Sequence, residues 1–248
     1  MDKPALHFFG DSFTAGDEVV DYKFMDNYPR YLSYNELIKL PKRIRPDFSH
    51  LTSLQYQDML SQEKQNSYAG LLQGVNHGRS GTSLQTMSRL IIEHLETTET
   101  KSVIFIQPSG IERWCEYVDN KWIDFNTTWL STMKHKEYHK FKILNNTEES
   151  NLITWHNELL TLTSYVANHK NTADWWIVNN GTFNELSSLM QDKNIGDKII
   201  KNTFSRLKEK MINFPQVDDM DTPYYCIGGH ANQLAHKELA QNIKKLLQ

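Results

Sequence analysis

Short apolar runs alternating with longer segments of helical period predict a three-layer α/β/α fold built on a parallel sheet. The runs at residues 6–9, 103–107 and 175–179, with a shorter piece ending at Val75 and Asn76, are brief and apolar, as strands buried on both faces are. Between them, residues 83–95 place Leu84, Met87, Leu90, Ile91 and Leu95 at helical spacing, and residues 152–166 and 199–212 do the same. Residues 232–247 carry Leu234, Leu239, Ile243, Leu246 and Leu247 on one stripe, which suits a helix closing the domain.

Two stretches break this rhythm. Residues 17–66 are rich in Tyr, Pro and charge, with Pro29, Pro41 and Pro46 as breakers, and residues 114–150 are polar and aromatic without a sustained period. Both are far longer than an ordinary strand-to-helix connection, and neither is edged by a linker composition. The expectation is a single domain over residues 1–248 with insertions at about 17–66 and 114–150, both at one rim of the sheet.

The composition narrows the partners. The 27 Lys+Arg and 30 Asp+Glu give a net charge of -3 over 248 residues, so the chain as a whole has no drive toward nucleic acid or anionic lipid. Cys115 and Cys226 are its only cysteines, too few for a disulfide framework or a thiolate zinc site, which suits a reducing compartment. The first residues are too short and polar for an export signal, and no stretch approaches the roughly 18 to 20 apolar residues of a spanning helix. A cytoplasmic protein without membrane or nucleic-acid partners is expected. The sequons at Asn126, Asn145 and Asn180 read as ordinary loop polar residues.

Three segments carry chemistry. In Phe8-Phe9-Gly10-Asp11-Ser12-Phe13-Thr14-Ala15-Gly16 an apolar strand runs directly into Gly-Asp-Ser, which exposes a hydroxyl at the carboxyl end of the first strand, where open α/β sheets collect ligands. Serine is a poor nucleophile without a base. Near the other end, Gly228-Gly229-His230-Ala231-Asn232 sets a histidine between a diglycine turn and the last helix, placed to aim back across the sheet edge. Between them, Asn76-His77-Gly78-Arg79-Ser80-Gly81-Thr82-Ser83 follows a strand and opens a helix, so its backbone N–H groups suit an oxyanion or a phosphate. A P-loop would end in Gly-Lys-Ser/Thr, and this segment does not. On the glycine-rich turn at 78–81 alone, a nucleotide-binding flavodoxin-like domain is a third reading.

These blocks, in this order and spacing, resemble those of the SGNH (GDSL-type) hydrolases over nearly the whole chain. Gly10-Asp11-Ser12 matches the nucleophile block; Asn76-x-Gly78-x-Ser80-Gly81 is similar to the second block; Gly229-His230-Ala231-Asn232 is similar to the last. The resemblance implies a flavodoxin-like parallel sheet and a serine esterase or deacetylase acting on an ester or O-acetyl group, including those on carbohydrate. It implies Ser12 as nucleophile, His230 as general base, and an oxyanion hole from the Ser12 amide with Gly81 or, alternatively, Gly78. It implies neither metal nor organic cofactor, and a small-molecule or glycan ester as partner. The 17–66 segment, with Tyr28-Pro29, looks like versions carried by tailed bacteriophages, which would place the protein in a host cytoplasm or a virion.

Two departures stand out. Where the family has an asparagine after the third strand, this chain reads Gln107-Pro108-Ser109-Gly110, which leaves Ser109 or a backbone amide as substitute oxyanion donor. Where the family has an aspartate shortly before the histidine, this chain has Ile227 and Gly228. Asp11 and Asp221, the latter from an acidic run with Asp218 and Asp219, are the orienting or auxiliary candidates, and a backbone carbonyl is the alternative. The departures also support a second function, a catalytically degenerate module that binds glycan or builds part of a phage particle. Trp114 and Trp122, with Trp129, lie in a polar insertion and are candidate substrate-binding residues, whereas Trp175 and Trp176 read as core. The His135 and His139 pair among Lys134, Lys136 and Lys140 lacks the glutamate and third ligand of a zinc-protease helix and reads as a solvated face.

Overall fold

A computed structural model describes residues 3–20, 31–40, 48–118, 120–126, 147–183, 186–187, 198–219, 221–226 and 229–248. Tyr28, Pro29, Trp129, Asn145, the Lys/His cluster at 134–140, Ile227 and Gly228 lie outside the described residues.

Five strands form the central sheet: β1 (Ala5–Phe9), β2 (Val75–Asn76), β3 (Ser102–Ile106), β6 (Thr172–Asn179) and β7 (Met211–Asn213), in the spatial order β2-β1-β3-β6-β7. Every pairing in it is parallel. A second sheet is the antiparallel hairpin of β4 (Arg113–Val118) and β5 (Lys121–Asn126). The helices are α1 (Ser12–Ala15), α2 (Tyr34–Leu37), α3 (Ser53–Asn66), α4 (Tyr68–Leu71), α5 (Leu84–Thr97), α6 (Glu148–Asn168), α7 (Lys198–Leu207), α8 (Pro215–Asp218) and α9 (Gln233–Leu246).

The period-2 alternation of a strand explains the two cores. Phe9, Ile104, Ile106 and Ile177 point to one face, where they pack against Leu84, Met87 and Ile91 of α5, Leu152, Trp155 and Leu159 of α6, and Phe204 of α7. Their neighbours Phe8, Val103, Phe105 and Val178 point to the other, against Tyr68 of α4, Phe214, and Ala235, Leu239 and Ile243 of α9. Burial on both faces is why these strands read as continuous apolar runs rather than alternating ones.

One expectation needs correcting. The helical segment expected at residues 199–212 stops at Leu207; a 3₁₀ turn (Lys208–Lys210) follows, and Met211-Ile212-Asn213 becomes the edge strand β7, pairing with the end of β6. Tertiary pairing overrides the local period there. The aperiodic stretch from residue 114 contains the β4–β5 hairpin, whose turn uses Asn120 at φ +60°. Asp124 fastens that hairpin to the sheet layer by accepting hydrogen bonds from the Ser83 amide and hydroxyl and from Thr86 at the start of α5. Trp175 and Trp176 lie on β6, half-buried, with the Lys210 ammonium 4.5 Å from the Trp176 ring centre.

Strand order positions the site. β1 lies between β2 and β3, so the loop leaving β1 sits where the connections diverge, the edge at which open α/β sheets collect ligands. Ser12 is the third residue after Phe9, the last β1 residue in register with β3, and stands at the head of α1.

Candidate active site

The turn that carries Ser12 is a single helical turn capped at both ends. Asp11 is its N-cap and accepts from the Phe13 amide, and Gly16 closes it with its amide on the Ser12 carbonyl. Asp11 is buried at 2% exposure, so its charge needs partners. It has two more: the Gln107 amide nitrogen at 2.7 Å and the Arg113 guanidinium at 3.0 Å. The other end of the Gln107 side chain accepts from Thr14 at 2.7 Å, and the Thr14 oxygen also meets the Tyr68 hydroxyl at 2.8 Å. Asp11, named above as an orienting candidate, is therefore the brace of the turn that holds Ser12.

Gly78 belongs to the same frame. A Cβ there would lie 2.4 Å from the Ala15 nitrogen, so only glycine lets the loop after β2 lie against α1. Its N–H donates to the Asn76 side-chain oxygen, which occupies the donor that an oxyanion would need. Gly81 differs. It is buried, with φ +78°, and neither its N–H nor that of Ser12 makes a hydrogen bond among the described residues. Ser12 is the first residue of α1, where an amide has no partner within the helix, so both N–H groups are free to donate.

His230 arrives on a tight loop. The Cys226 amide donates to the His230 carbonyl at 2.8 Å, Gly229 takes φ +96°, and the Tyr225–Ala231 bridge closes the turn before Asn232 caps α9. The ring packs edge-on to Phe13, and its Nε2 lies 3.0 Å from Ser12 Oγ. Residues 218 positions apart thus meet at one sheet rim.

The other ring nitrogen answers the question left by the missing aspartate. His230 Nδ1 lies 2.8 Å from Oε1 of Glu18, a residue exposed at only 7%. Ser12, His230 and Glu18 form one hydrogen-bonded chain. Glu18 is held at every polar group. Its amide donates to Glu63 Oε1 at 3.0 Å, and its carbonyl receives the Cys226 thiol at 3.5 Å. It sits at φ +69°, a left-handed conformation costing a non-glycine residue roughly 1–2 kcal/mol. The strain points its carboxylate at the imidazole.

Electrostatics follow from this packing. Burial works against an imidazolium at His230, but the Glu18 hydrogen bond and charge, with Asp17 and Asp11 behind them, outweigh it and raise the pKa above the ordinary histidine value. Burial also raises the Asp17 carboxyl, partly offset by His230 and by a hydrogen bond from Ser80. Six residues beyond His230, His236 has no such carboxylate. Its burial, helped by the charge of His230, pushes it down to about 3, and its Nδ1 accepts the Tyr68 amide.

The remaining candidates fall elsewhere. Asp221 is exposed and accepts from Asn35 at 2.9 Å, while the His230 nitrogen it was expected to orient is met by Glu18. Ser109 is fully buried just past β3; its carbonyl accepts the Trp155 indole N–H, and its hydroxyl has no partner among the described residues. Trp114 stacks on Phe125 within the hairpin. Trp122 is 56% exposed, beside Tyr117 and under the Arg89 guanidinium, which lies 3.9 Å from its ring centre.

Solved structures similar to this chain include a member of the lipolytic protein G-D-S-L family from Veillonella parvula DSM 2008, at 10% identity over 98% of both chains with a TM-score of 0.48. A carbohydrate esterase family 2 enzyme plus carbohydrate binding domain from Corynascus thermopiles (Myceliophthora fergusii) is similar at 13% identity and a TM-score of 0.49. An acetyl xylan esterase from the rumen bacterium Butyrivibrio proteoclasticus is similar at 11% and 0.46. These two cover 99% and 100% of this chain, which spans 65% and 64% of theirs. No protein-family model matches the chain, and no curated protein does.

No helix among the described residues is long and apolar enough to cross a membrane.

Proposed function

We propose that the protein is a serine hydrolase that cleaves an ester or O-acetyl group through an acyl-serine intermediate. The observation that carries this reading is the continuous chain from Ser12 Oγ to His230 Nε2 and from His230 Nδ1 to Glu18, with hydrogen-bond lengths at both links. A carboxylate on Nδ1 fixes the tautomer that bears its proton there, so Nε2 faces Ser12 with a free lone pair.

In the reaction, Ser12 Oγ attacks the carbonyl carbon while its proton passes to His230 Nε2. The carbonyl oxygen becomes an oxyanion, and the unpartnered amides of Ser12 and Gly81 are the donors in reach of that role. Collapse breaks the ester bond, and Nε2–H protonates the departing alcohol oxygen. Water then gives its proton to His230 as it attacks the acyl-serine, releasing the carboxylic acid and restoring the Ser12 hydroxyl. Glu18 holds the ring by Nδ1 and stabilises the imidazolium that forms twice per turnover. Asp11, Gln107 and Arg113 touch no reacting atom; they are positioning residues for the turn that carries Ser12.

Purified protein is expected to hydrolyse p-nitrophenyl acetate and to be labelled by a fluorophosphonate. Ser12→Ala abolishes both, and His230→Ala abolishes labelling, because an isolated serine hydroxyl is not activated. Turnover that survives Ser12→Ala, or labelling unchanged in His230→Ala, defeats the proposal. Release of acetate from O-acetylated polysaccharide, compared with the p-nitrophenyl ester, tests carbohydrate as the alcohol.

A further inference from the structure

On the α5 side of the sheet, away from the Ser12 chain of hydrogen bonds, three imidazoles converge. His7 lies on β1, His77 follows β2 with its amide on the Phe8 carbonyl, and His94 is in the last turn of α5. One ligating nitrogen from each lies within 4.8 Å of the other two. His7 Nδ1 and His77 Nε2 are already 3.1 Å apart. Zinc–nitrogen bonds of 2.0–2.1 Å in a tetrahedron put ligand nitrogens about 3.3 Å apart, so that pair is at coordination spacing, and closing the third ring needs a shift of at most about 1.5 Å.

Packing alone does not account for this choice of residues. The rings do pack, Phe9 stacked on His77 at 4.3 Å and His7 tilted against His94 at 4.0 Å, but phenyl rings fill such a space without the cost of desolvating three polar rings. Only one ring-to-ring hydrogen bond is made in return. Burial, with the charges of neighbouring rings, pushes His7 and His77 down to about 4, so their nitrogens are neutral ligands at neutral pH. His94 Nε2 is 3.3 Å from the hydroxyl of Ser102, a fully buried residue on β3; a hydrogen bond to one nitrogen is the usual way a ligand histidine is oriented through the other.

We propose that His7, His77 and His94 bind a borderline divalent transition metal, of the Zn²⁺ class, with water in the fourth position. Three neutral imidazoles without a carboxylate suit Zn²⁺, Co²⁺, Ni²⁺ or Cu²⁺ and not the oxygen-seeking Mg²⁺ or Ca²⁺. His77 and His94 are partly exposed, which gives the ion a path in. The nearby charges of Arg79 and Lys64, which act on His77, weigh against a dication and set a limit on affinity. The ion would tie β1, the end of β2 and the end of α5 together, so its role is structural and independent of ester hydrolysis.

The test is calorimetric titration of metal-free full-length chain with ZnCl₂, paired with the visible spectrum of the Co²⁺ form. One equivalent per chain is expected, with tetrahedral Co²⁺ bands and a thermal midpoint that rises with Zn²⁺. His94→Ala and His77→Phe should each weaken binding at least tenfold and remove the bands; His77→Phe keeps the stacked ring and so guards against simple unfolding. Absence of saturable binding by the wild-type chain overturns the proposal. So does unchanged affinity in both variants, which would place the ion at other histidines.

Discussion

The two segments that interrupt the α/β rhythm meet the Ser12 turn in different ways. The one beginning at residue 17 enters the site: Glu18 meets the imidazole, and Glu63 from α3 grips the Glu18 amide from behind. The hairpin at 113–126 meets the turn through Arg113 on Asp11 and fastens itself to α5 through Asp124. One insertion supplies a carboxylate to the imidazole and the other braces the turn from outside. A carboxylate's contribution is thus set by which nitrogen it meets, not by its place in the chain.

The largest expected effect is at Glu18. Glu18→Gln keeps shape but loses the charge and lets the wrong imidazole tautomer form, so kcat should fall by a factor on the order of 10³ to 10⁴ with KM little changed. The pH profile sharpens this. The carboxylate raises the His230 pKa, so the protonated ring is favoured in the folded protein. The pair's stabilisation is full below the unfolded value and is lost as pH rises through the folded one, while activity needs the neutral ring. The acid limb of kcat/KM should therefore sit above the ordinary histidine value and move to lower pH in Glu18→Gln. An unmoved limb breaks the assignment of Glu18.

Glu63→Ala comes next. It leaves the buried Glu18 amide without this acceptor, so stability should drop by about 1–3 kcal/mol in denaturant unfolding and kcat by roughly tenfold or more. Arg113→Met removes one of three partners of Asp11, which keeps Gln107 and the Phe13 amide; a loss nearer tenfold in kcat/KM is expected, with KM unchanged. Asp124→Asn is the smallest. It loosens the hairpin's attachment to α5 by about 1 kcal/mol, read as a lower thermal midpoint, and should leave fluorophosphonate labelling untouched. If Asp124→Asn instead matched Glu18→Gln, the contrast between the two segments would be wrong.

The same contrast explains what the sequence could show. Gly10-Asp11-Ser12 and Gly229-His230 are legible because each is a glycine turn at the end of a strand or the start of a helix, so local pattern alone places them at the rim. The pairing of strands buried on both faces is legible for the same reason. Glu18 is not: a left-handed glutamate six residues after the serine has no periodicity, and its role appears only when Glu63 and His230 come in from residues 45 and 212 positions away. The one signal was its setting, Gly16-Asp17-Glu18-Val19-Val20, two acids directly before two valines that become wholly buried. Gln107, which opens the segment departing from the family pattern, turns out with Arg113 to be a strut of Asp11. The strand β7 was hidden because three residues continue the period of the preceding helix.

Ser12 and Glu18 lie six residues apart on one local segment, whereas the imidazole between them rides on the segment leading into α9. Covalent capture of the serine is thus a stopwatch for docking of the carboxy-terminal helix: during refolding, probe incorporation should lag sheet formation and keep pace with burial of Leu239 and Ile243, reporting assembly of the last layer without any added fluorophore.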